Sequence, residues 1–419
     1  MPGLSKAGFL EKKDDYFYYV CKKETNYLLH LFTFDKGTLT DLHKFDIPFF
    51  KPSFEYVKFE PQNQLFFVHN KISAIETYGR MDQKLFYLES IEPKSAIVDF
   101  HPKPEKVFVI FTDLLNGKPT TSLKVYHIEN STLFTEEHYR AFNNVQELKF
   151  FSNFNGTINL INAHRYLDNT GNSYYGLEKV FMYNLKDKVV EEVPTYKGGI
   201  HDVKFDSSEQ QFAVISGTMP SFTALYDSKG KPYHLLSNDY KNQLYFAPNK
   251  AFVAIVGFGS LAGDIEIWDY NKFEMIGHCN SSCASFLKWS PDCQYFMTAI
   301  IAEKLKVDHK ISVFSYNGTL LKRIKLDVFD LINVDFAFNA PVNTKIILNP
   351  VKRKREKNTL DAGKLLPSGK ITSLDVQSYK PTQELPVQAK PGPSLQVGAP
   401  KFFNSRKGNL ANGFKKPSN

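Results

Sequence analysis

Residues 202–216, DVKFDSSEQQFAVIS, read as a strand that ends on an aromatic, a tight serine-containing turn, and a second strand. Five further stretches follow the same plan: VKFEPQNQLFFVHN from Val57, IVDFHPKPEKVFVIF from Ile97, ELKFFSNFNGTINLI from Glu147, QLYFAPNKAFVAIVG from Gln243 and FLKWSPDCQYFMTAI from Phe286. The aromatic before each turn is Phe59, Phe100, Phe150, Phe205, Phe246 or Trp289, at intervals of 41, 50, 55, 41 and 43 residues. A period near 40–45 residues belongs to the four-stranded blade of a β-propeller.

A second hairpin follows the first in these units, as in SLKVYHIENSTLFTEEH, EKVFMYNLKDKVVEEV, FTALYDSKGKPYHLL, DIEIWDYNKFEMIGH and ISVFSYNGTLLKRI. Strands with alternating apolar residues flank polar turns such as Asp227 to Gly230 and Asn317-Gly318, which gives four strands per unit. The chain ends complete the count. VDFAF (334–338) reads as the first strand of a seventh unit, and YFYYVCK, YLLHLFTFD and LTDLHKFD, between Tyr16 and Asp46, read as second, third and fourth strands lacking a first. The expectation is therefore an all-β, seven-bladed propeller closed by pairing of its N- and C-terminal strands, which leaves no open sheet edge. Eight blades is the alternative, because the 55-residue interval has room for more strands. The expected organisation is an N-terminal arm at 1–15, the propeller at 16–349 and a disordered basic tail at 350–419.

Composition agrees with this class. The 419 residues include 37 Phe and 22 Tyr, which pack well on a pleated sheet. The net charge of +8 is concentrated at one end: residues 351–419 carry 14 Lys and Arg against 4 Asp and Glu, leaving the rest close to neutral. Four cysteines are too few for a disulfide-built fold, the first residues lack a signal-peptide core, and no apolar run nears the roughly 20 residues of a membrane span. The expected setting is the cytoplasm, with no membrane partner.

GFGSLAGDIEIWD (257–269) has the glycine spacing of a phosphate-cradling loop, but such a loop leads into a helix, whereas DIEIWD alternates as a strand. The glycines are read as a turn between second and third strands, and Trp268-Asp269 stands where WD-type blades carry their dipeptide. No catalytic constellation is found, so the chain is read as non-enzymatic, without metal or cofactor. Cys279 and Cys283 lack a second pair at zinc spacing, and GNSYYG and GSLAG miss the nucleophile-elbow pattern.

Four stretches in order, LDNTGNSYYG (167–176), GGIHDVKFDSSEQQFAVISGTMPSFTALYD (198–227), GFGSLAGDIEIWD, and FLKWSPDCQYFMTA with ISVFSYNG (286–318), resemble the propeller of the eukaryotic translation initiation factor 2A family. The resemblance covers about residues 145–340. It implies a non-enzymatic translation factor that engages the small ribosomal subunit and assists initiator tRNA delivery, with mRNA and other initiation factors as further partners. It also implies a shortened ring, since family members carry additional blades ahead of this start. Of the family's Tyr-Arg-Pro-Pro-type tail segment, only SYKP (378–381) is similar. Subunit b of eukaryotic initiation factor 3 has a similar propeller.

Loops between second and third strands open on the same side as those leading into first strands, and rigid scaffolds gather binding residues on such loops. Arg165 to Gly176, Gly217 to Ser221, Gly257 to Gly263 and Ile301 to Lys310 are the candidates, from four consecutive units. On them Arg165, Lys304, Lys306 and Lys310 are expected to meet phosphates. Tyr174, Tyr175 and Phe258 are expected to stack on bases or pack on protein, with Met219 as an apolar contact. The run KRKREK adds Lys352, Arg353, Lys354 and Arg355 as an rRNA-binding arm; a nuclear import signal and a solvated linker remain open for the same residues. The chain is expected to be a monomer, and a WD-type protein–protein scaffold, with a nuclear setting open and unrelated to ribosome binding, is the alternative function.

Overall fold

In a computed structural model of the chain, the described residues are 4–10, 16–23, 26–35, 38–47, 55–81, 84–93, 95–115, 118–129, 133–143, 145–166, 176–301, 308–326, 331, 334–336 and 376–378. Their regular structure is entirely β. The first sheet contains β1 (Leu4–Phe9), β2 (Tyr16–Lys23), β3 (Asn26–Asp35) and β4 (Thr38–Ile47). The second contains β5 (Val57–Glu60), β6 (Leu65–Lys71), β7 (Ala74–Met81) and β8 (Lys84–Ile91), and the third β9 (Ile97–Lys103), β10 (Lys106–Leu115), β11 (Lys118–Glu129) and β12 (Leu133–Asn143). The fourth has β13 (Glu147–Ser152), β14 (Asn159–Arg165), β15 (Leu177–Asn184) and β16 (Val189–Glu192). β17 (Gly199–Phe205), β18 (Phe212–Gly217), β19 (Ser221–Tyr226) and β20 (Pro232–Asp239) make the fifth. The sixth is β21 (Gln243–Phe246), β22 (Phe252–Val256), β23 (Asp264–Asp269) and β24 (Glu274–Asn280); the seventh is β25 (Phe286–Trp289), β26 (Tyr295–Ala299), β27 (Lys310–Ser315) and β28 (Leu320–Lys325). Every sheet is an antiparallel meander in chain order, and β29 (Val376–Ser378) joins the third as a fifth strand beside β12.

The second strand of each sheet explains the stacking. β18 and β22 are buried at every position, and their two faces serve different neighbours. Phe212 and Val214 pack toward the fourth sheet with Leu160 and Val180, while Ala213 and Ile215 pack toward the sixth with Val253 and Ile255. On β22, Phe252 and Ala254 turn the other way, to Leu287, Trp289 and Phe296 of the seventh sheet. A strand buried on both faces carries a continuous apolar run rather than an alternation, which is why FAVIS and FVAIV read as they do. Five such clusters run from the first sheet to the seventh, and the first of them also takes in the second and third sheets.

The turns after the marker aromatics repeat as well. Glu209, Lys250 and Cys293, each four residues after Phe205, Phe246 or Trp289, have φ of 57°, 60° and 59°. In all three the turn closes on itself: Glu209 N donates to Asp206 O, Lys250 N to Ala247 O and Cys293 N to Ser290 O. Trp289 Nε1 donates to Tyr245 O at 2.9 Å, tying the seventh sheet to the sixth.

Three expectations are corrected. The first strand of the N-terminal sheet is Leu4–Phe9, inside the segment taken as an arm, and it pairs antiparallel with β2, Phe9 opposite Phe17. Lys6 and Gly8 interrupt the pattern that marks the other strands. Val334–Phe336, expected to supply that strand, lies in no strand, and 337–338 fall outside the described residues. Asp335 nevertheless pairs with Lys288 of β25, as Asp99 of β9 pairs with Lys58 of β5 at 3.1 Å, so this segment meets the inner strand of the preceding sheet in the same way. Third, Val376–Ser378 is a strand within the tail expected to be disordered.

The packing gives a direct test. Phe252 is fully buried and stacks on Trp289 and Tyr316, with ring centroids 5.9 and 5.4 Å away. Phe252→Ala is expected to cost about 3–5 kcal/mol in chemical denaturation, and Leu321→Ala, on an exposed strand, less than about 0.5 kcal/mol.

Candidate nucleic-acid interface

Antiparallel order places the loop between second and third strands beside the segment that leads into the first strand. Gln146 N donates to His164 O at 3.1 Å, Asn242 N to Val256 O at 2.8 Å and Ser285 N to Ala299 O at 3.0 Å, while Gly199 stands opposite Gly217. The loops of the fourth to seventh sheets therefore open on one side of their sheets. The turns at Asp187, Lys229 and Asn271, between third and fourth strands, lie at the other end.

The glycine loop is a turn. Gly257 N donates to Asp264 O at 2.9 Å, Gly263 N to Gly257 O at 2.8 Å and Ser281 N to Gly263 O at 2.9 Å, and the chain then enters β23 rather than a helix. Gly263 has φ of +85°, and a Cβ there would lie 2.4 Å from Ser281 O. Only glycine meets both conditions. Behind the loop, Glu266 accepts from Trp268 Nε1 at 3.0 Å and lies 3.8 Å from the buried Lys241 ammonium, which also faces Asp239 at 3.6 Å. Asp269 accepts from Asn271 N and Lys272 N at 3.0 and 3.1 Å. The Glu, Trp and Asp of this motif thus brace the sixth sheet from within.

Two candidate side chains face inward. Phe258 is 0% exposed, packed in the cluster between sixth and seventh sheets, and its backbone is clasped by Asn242, which donates to Phe258 O and accepts from Phe258 N, both at 2.9 Å. It anchors the loop and offers no face to a base. Arg165 is 9% exposed at the end of β14, opposite Leu177, so its guanidinium is not presented to a phosphate. Lys310 lies 3.3 Å from Asp308, and Met219 is half-buried between the exposed Thr218 and Pro220. Tyr174, Tyr175, Lys304, Lys306, Lys352, Arg353, Lys354 and Arg355 lie outside the described residues.

Two exposed aromatics that sequence reasoning passed over stand on this side. Tyr240, 56% exposed, precedes Lys241 in the segment leading into the sixth sheet. Tyr166, 52% exposed, follows Arg165 at the base of the fourth-sheet loop, its ring edge-on to His164 at 4.7 Å and its hydroxyl donating to Glu147 Oε2 at 3.2 Å. Burial first, and then the neighbouring Glu147 carboxylate, raises the Tyr166 pKa. His164 Nδ1 lies 3.4 Å from Glu178, whose other oxygen accepts from Ile200 N at 2.6 Å, linking fourth and fifth sheets. Their signal was modest: a tyrosine in a connection, with no partner at strand spacing.

Between the inner strands of the fifth to seventh sheets lies a cavity of about 570 Å³, lined by His201, Asp202, Lys204, Asn242, Gln243 and Tyr245 among others. Its polar groups are engaged in the scaffold. Asp202 accepts from Leu244 N and Val203 N at 2.8 and 2.9 Å, and His201 Nε2 lies 2.8 Å from Gly217 O. Burial raises the Asp202 pKa and pushes the Cys279 thiol up to about 12. Among the described residues no three His, Cys, Asp or Glu side chains converge as a metal site, and no helix is long and apolar enough to cross a membrane.

The fold is that of a WD-type β-propeller protein. It is similar to the crystal structure of a eukaryotic initiation factor, at 18% identity and a TM-score of 0.57 over 78% of this chain and 89% of that one. It is also similar to the C-terminal WD40 domain of Sif2, at 10% identity and a TM-score of 0.51 over 75% and 82%. Residues 140–332, the fourth to seventh sheets with the end of β12, match the model of the family described as Eukaryotic translation initiation factor eIF2A. Eukaryotic translation initiation factor 2A of Dictyostelium discoideum is 32% identical over 184 residues, 44% of this chain and 30% of that protein. The matches to the curated relatives of that name span 30–43% of their lengths.

The close approach at Gly263 predicts a graded response. Gly263→Ala is expected to lower stability by at least about 1 kcal/mol through left-handed strain and the Ser281 contact. Gly259→Ala, also at positive φ but with nothing within 4 Å of its Cβ, is expected to cost less; denaturant midpoints of the two variants decide it.

Proposed function

We propose that this protein acts in translation initiation as a non-enzymatic, cytoplasmic binding platform. In this reading the loop side of the fourth to seventh sheets docks on rRNA and proteins of the small ribosomal subunit. The observation that carries it is the coincidence of the family match at 140–332 with the four sheets whose loops share one side. Initiator tRNA, mRNA and other initiation factors are the further partners of the same reading.

Charge divides the work between the two parts. Residues 1–350 are close to neutral, so the propeller side contributes shape and exposed aromatic surface such as Tyr166 and Tyr240. The cationic residues 351–419 contribute phosphate neutralisation, which is salt-sensitive and indifferent to sequence.

Sedimentation with purified small subunits at several salt concentrations tests it. The full chain is expected to travel with the subunit, more weakly as salt rises. Replacing Lys352, Arg353, Lys354 and Arg355 by Ala is expected to flatten the log–log salt slope by about 3, so that the variant's deficit in affinity grows about a thousandfold for each tenfold fall in salt. Absence from the small-subunit fractions at every salt concentration overturns the reading, and relocation of the same variant within cells favours KRKREK as an import signal of a nuclear scaffold.

A further inference from the structure

The outer strand of a propeller sheet presents unpaired N–H and C=O groups along one edge, a template for any extended segment unless it is short, bulged, charged or covered. Most outer strands of this protein are blunted in one of these ways. β16 has four residues, β20 opens on Pro232 and is bulged twice against β19, and β28 carries Lys322, Arg323 and Lys325 on a strand exposed throughout. The middle of β24 is overlain by the turn of the seventh sheet, for a Cβ at Gly277 would lie 2.2 Å from Asn317 O.

β12 differs. It is 11 residues long, and from His138 to Asn143 its pairing with β11 runs without a bulge, Val125 opposite His138 through Thr120 opposite Asn143. Within that regular stretch Arg140 is the one residue of fixed charge, and its guanidinium is drawn off to the Lys188 and Tyr139 carbonyls. On this edge β29 pairs antiparallel, with Arg140 opposite Ser378, Ala141 opposite Gln377 and Phe142 opposite Val376. Residues 337–375 can span about 130 Å when extended, so the connection from the seventh sheet sets no limit on reaching it.

We propose that the outer edge of β12 is a strand-acceptor site whose resident is the chain's own Val376–Ser378. The site binds by main-chain pairing, the mode in which an extended peptide adds to a sheet. The pairing fixes Val376–Ser378 at the rim of the third sheet. Three paired residues make a short latch, and closure entropy grows only slowly with loop length, so the latch exchanges with solvent instead of locking.

Two measurements on the full chain test the site. In a Cys283→Ser background, the pair Ala141→Cys and Gln377→Cys is expected to form an intramolecular disulfide under mild oxidation about tenfold faster than Ala141→Cys with Val397→Cys; equal rates overturn the proposal. Separately, Gln377→Pro removes an N–H from the added strand. It is expected to speed amide exchange about tenfold within residues 138–143 while residues 252–256 stay unchanged, showing the fold intact. Unchanged exchange at 138–143 overturns the proposal by a route that does not depend on ribosome binding.

Discussion

The fold depends on the second strand of each sheet from the second to the seventh being buried on both faces over most of its length. Phe212 and Val214 face one neighbour and Ala213 and Ile215 the other, so β18 cannot exist in water without a sheet on each side. Burying such side chains is worth roughly 1.5–3 kcal/mol each, and consecutive sheets are held face to face by that term rather than by main-chain pairing between them. The arrangement leaves the hydrogen-bonding edges and the loops as the parts whose chemistry is free to vary. The first sheet shows the converse: Phe17, Tyr19, His30 and Phe32 form a half-covered aromatic row on it.

The interior of the fold was legible because its physics repeats. An aromatic before a turn, a doubly apolar strand and a second hairpin recur at nearly fixed spacing, and the three left-handed turn residues Glu209, Lys250 and Cys293 show that the backbone repeats with the sequence. Elements outside the repeat were not legible in that way. Leu4–Phe9 carries Lys6 and Gly8 and has no sister segment, so nothing marked it as a strand before its pairing with β2 was seen. Val376–Ser378 sits in LDVQS, where apolar and polar residues do alternate, but the stretch is short and its surroundings are polar.

The candidate interface was legible at the level of loops and not of side chains. That 257–263 is a turn followed from the strand after it. That Phe258 turns inward followed only from the course of the loop over Ala284, which no periodicity encodes. Arg165 is buried at the end of β14, and the last residue of a strand has no alternation to say which face it takes. Tyr166 and Tyr240 gained their standing from exposure, a property of the neighbours as much as of the residue.

The loop side of the fourth to seventh sheets is the surface on which the functional account rests. Photo-cross-linking from a benzoylphenylalanine placed singly at positions 166, 240 and 260, and at 187, 229 and 271 on the opposite end, reads that surface directly. The account predicts small-subunit rRNA or protein adducts from the first three positions and none from the second three. Adducts confined to 187, 229 and 271 would contradict it.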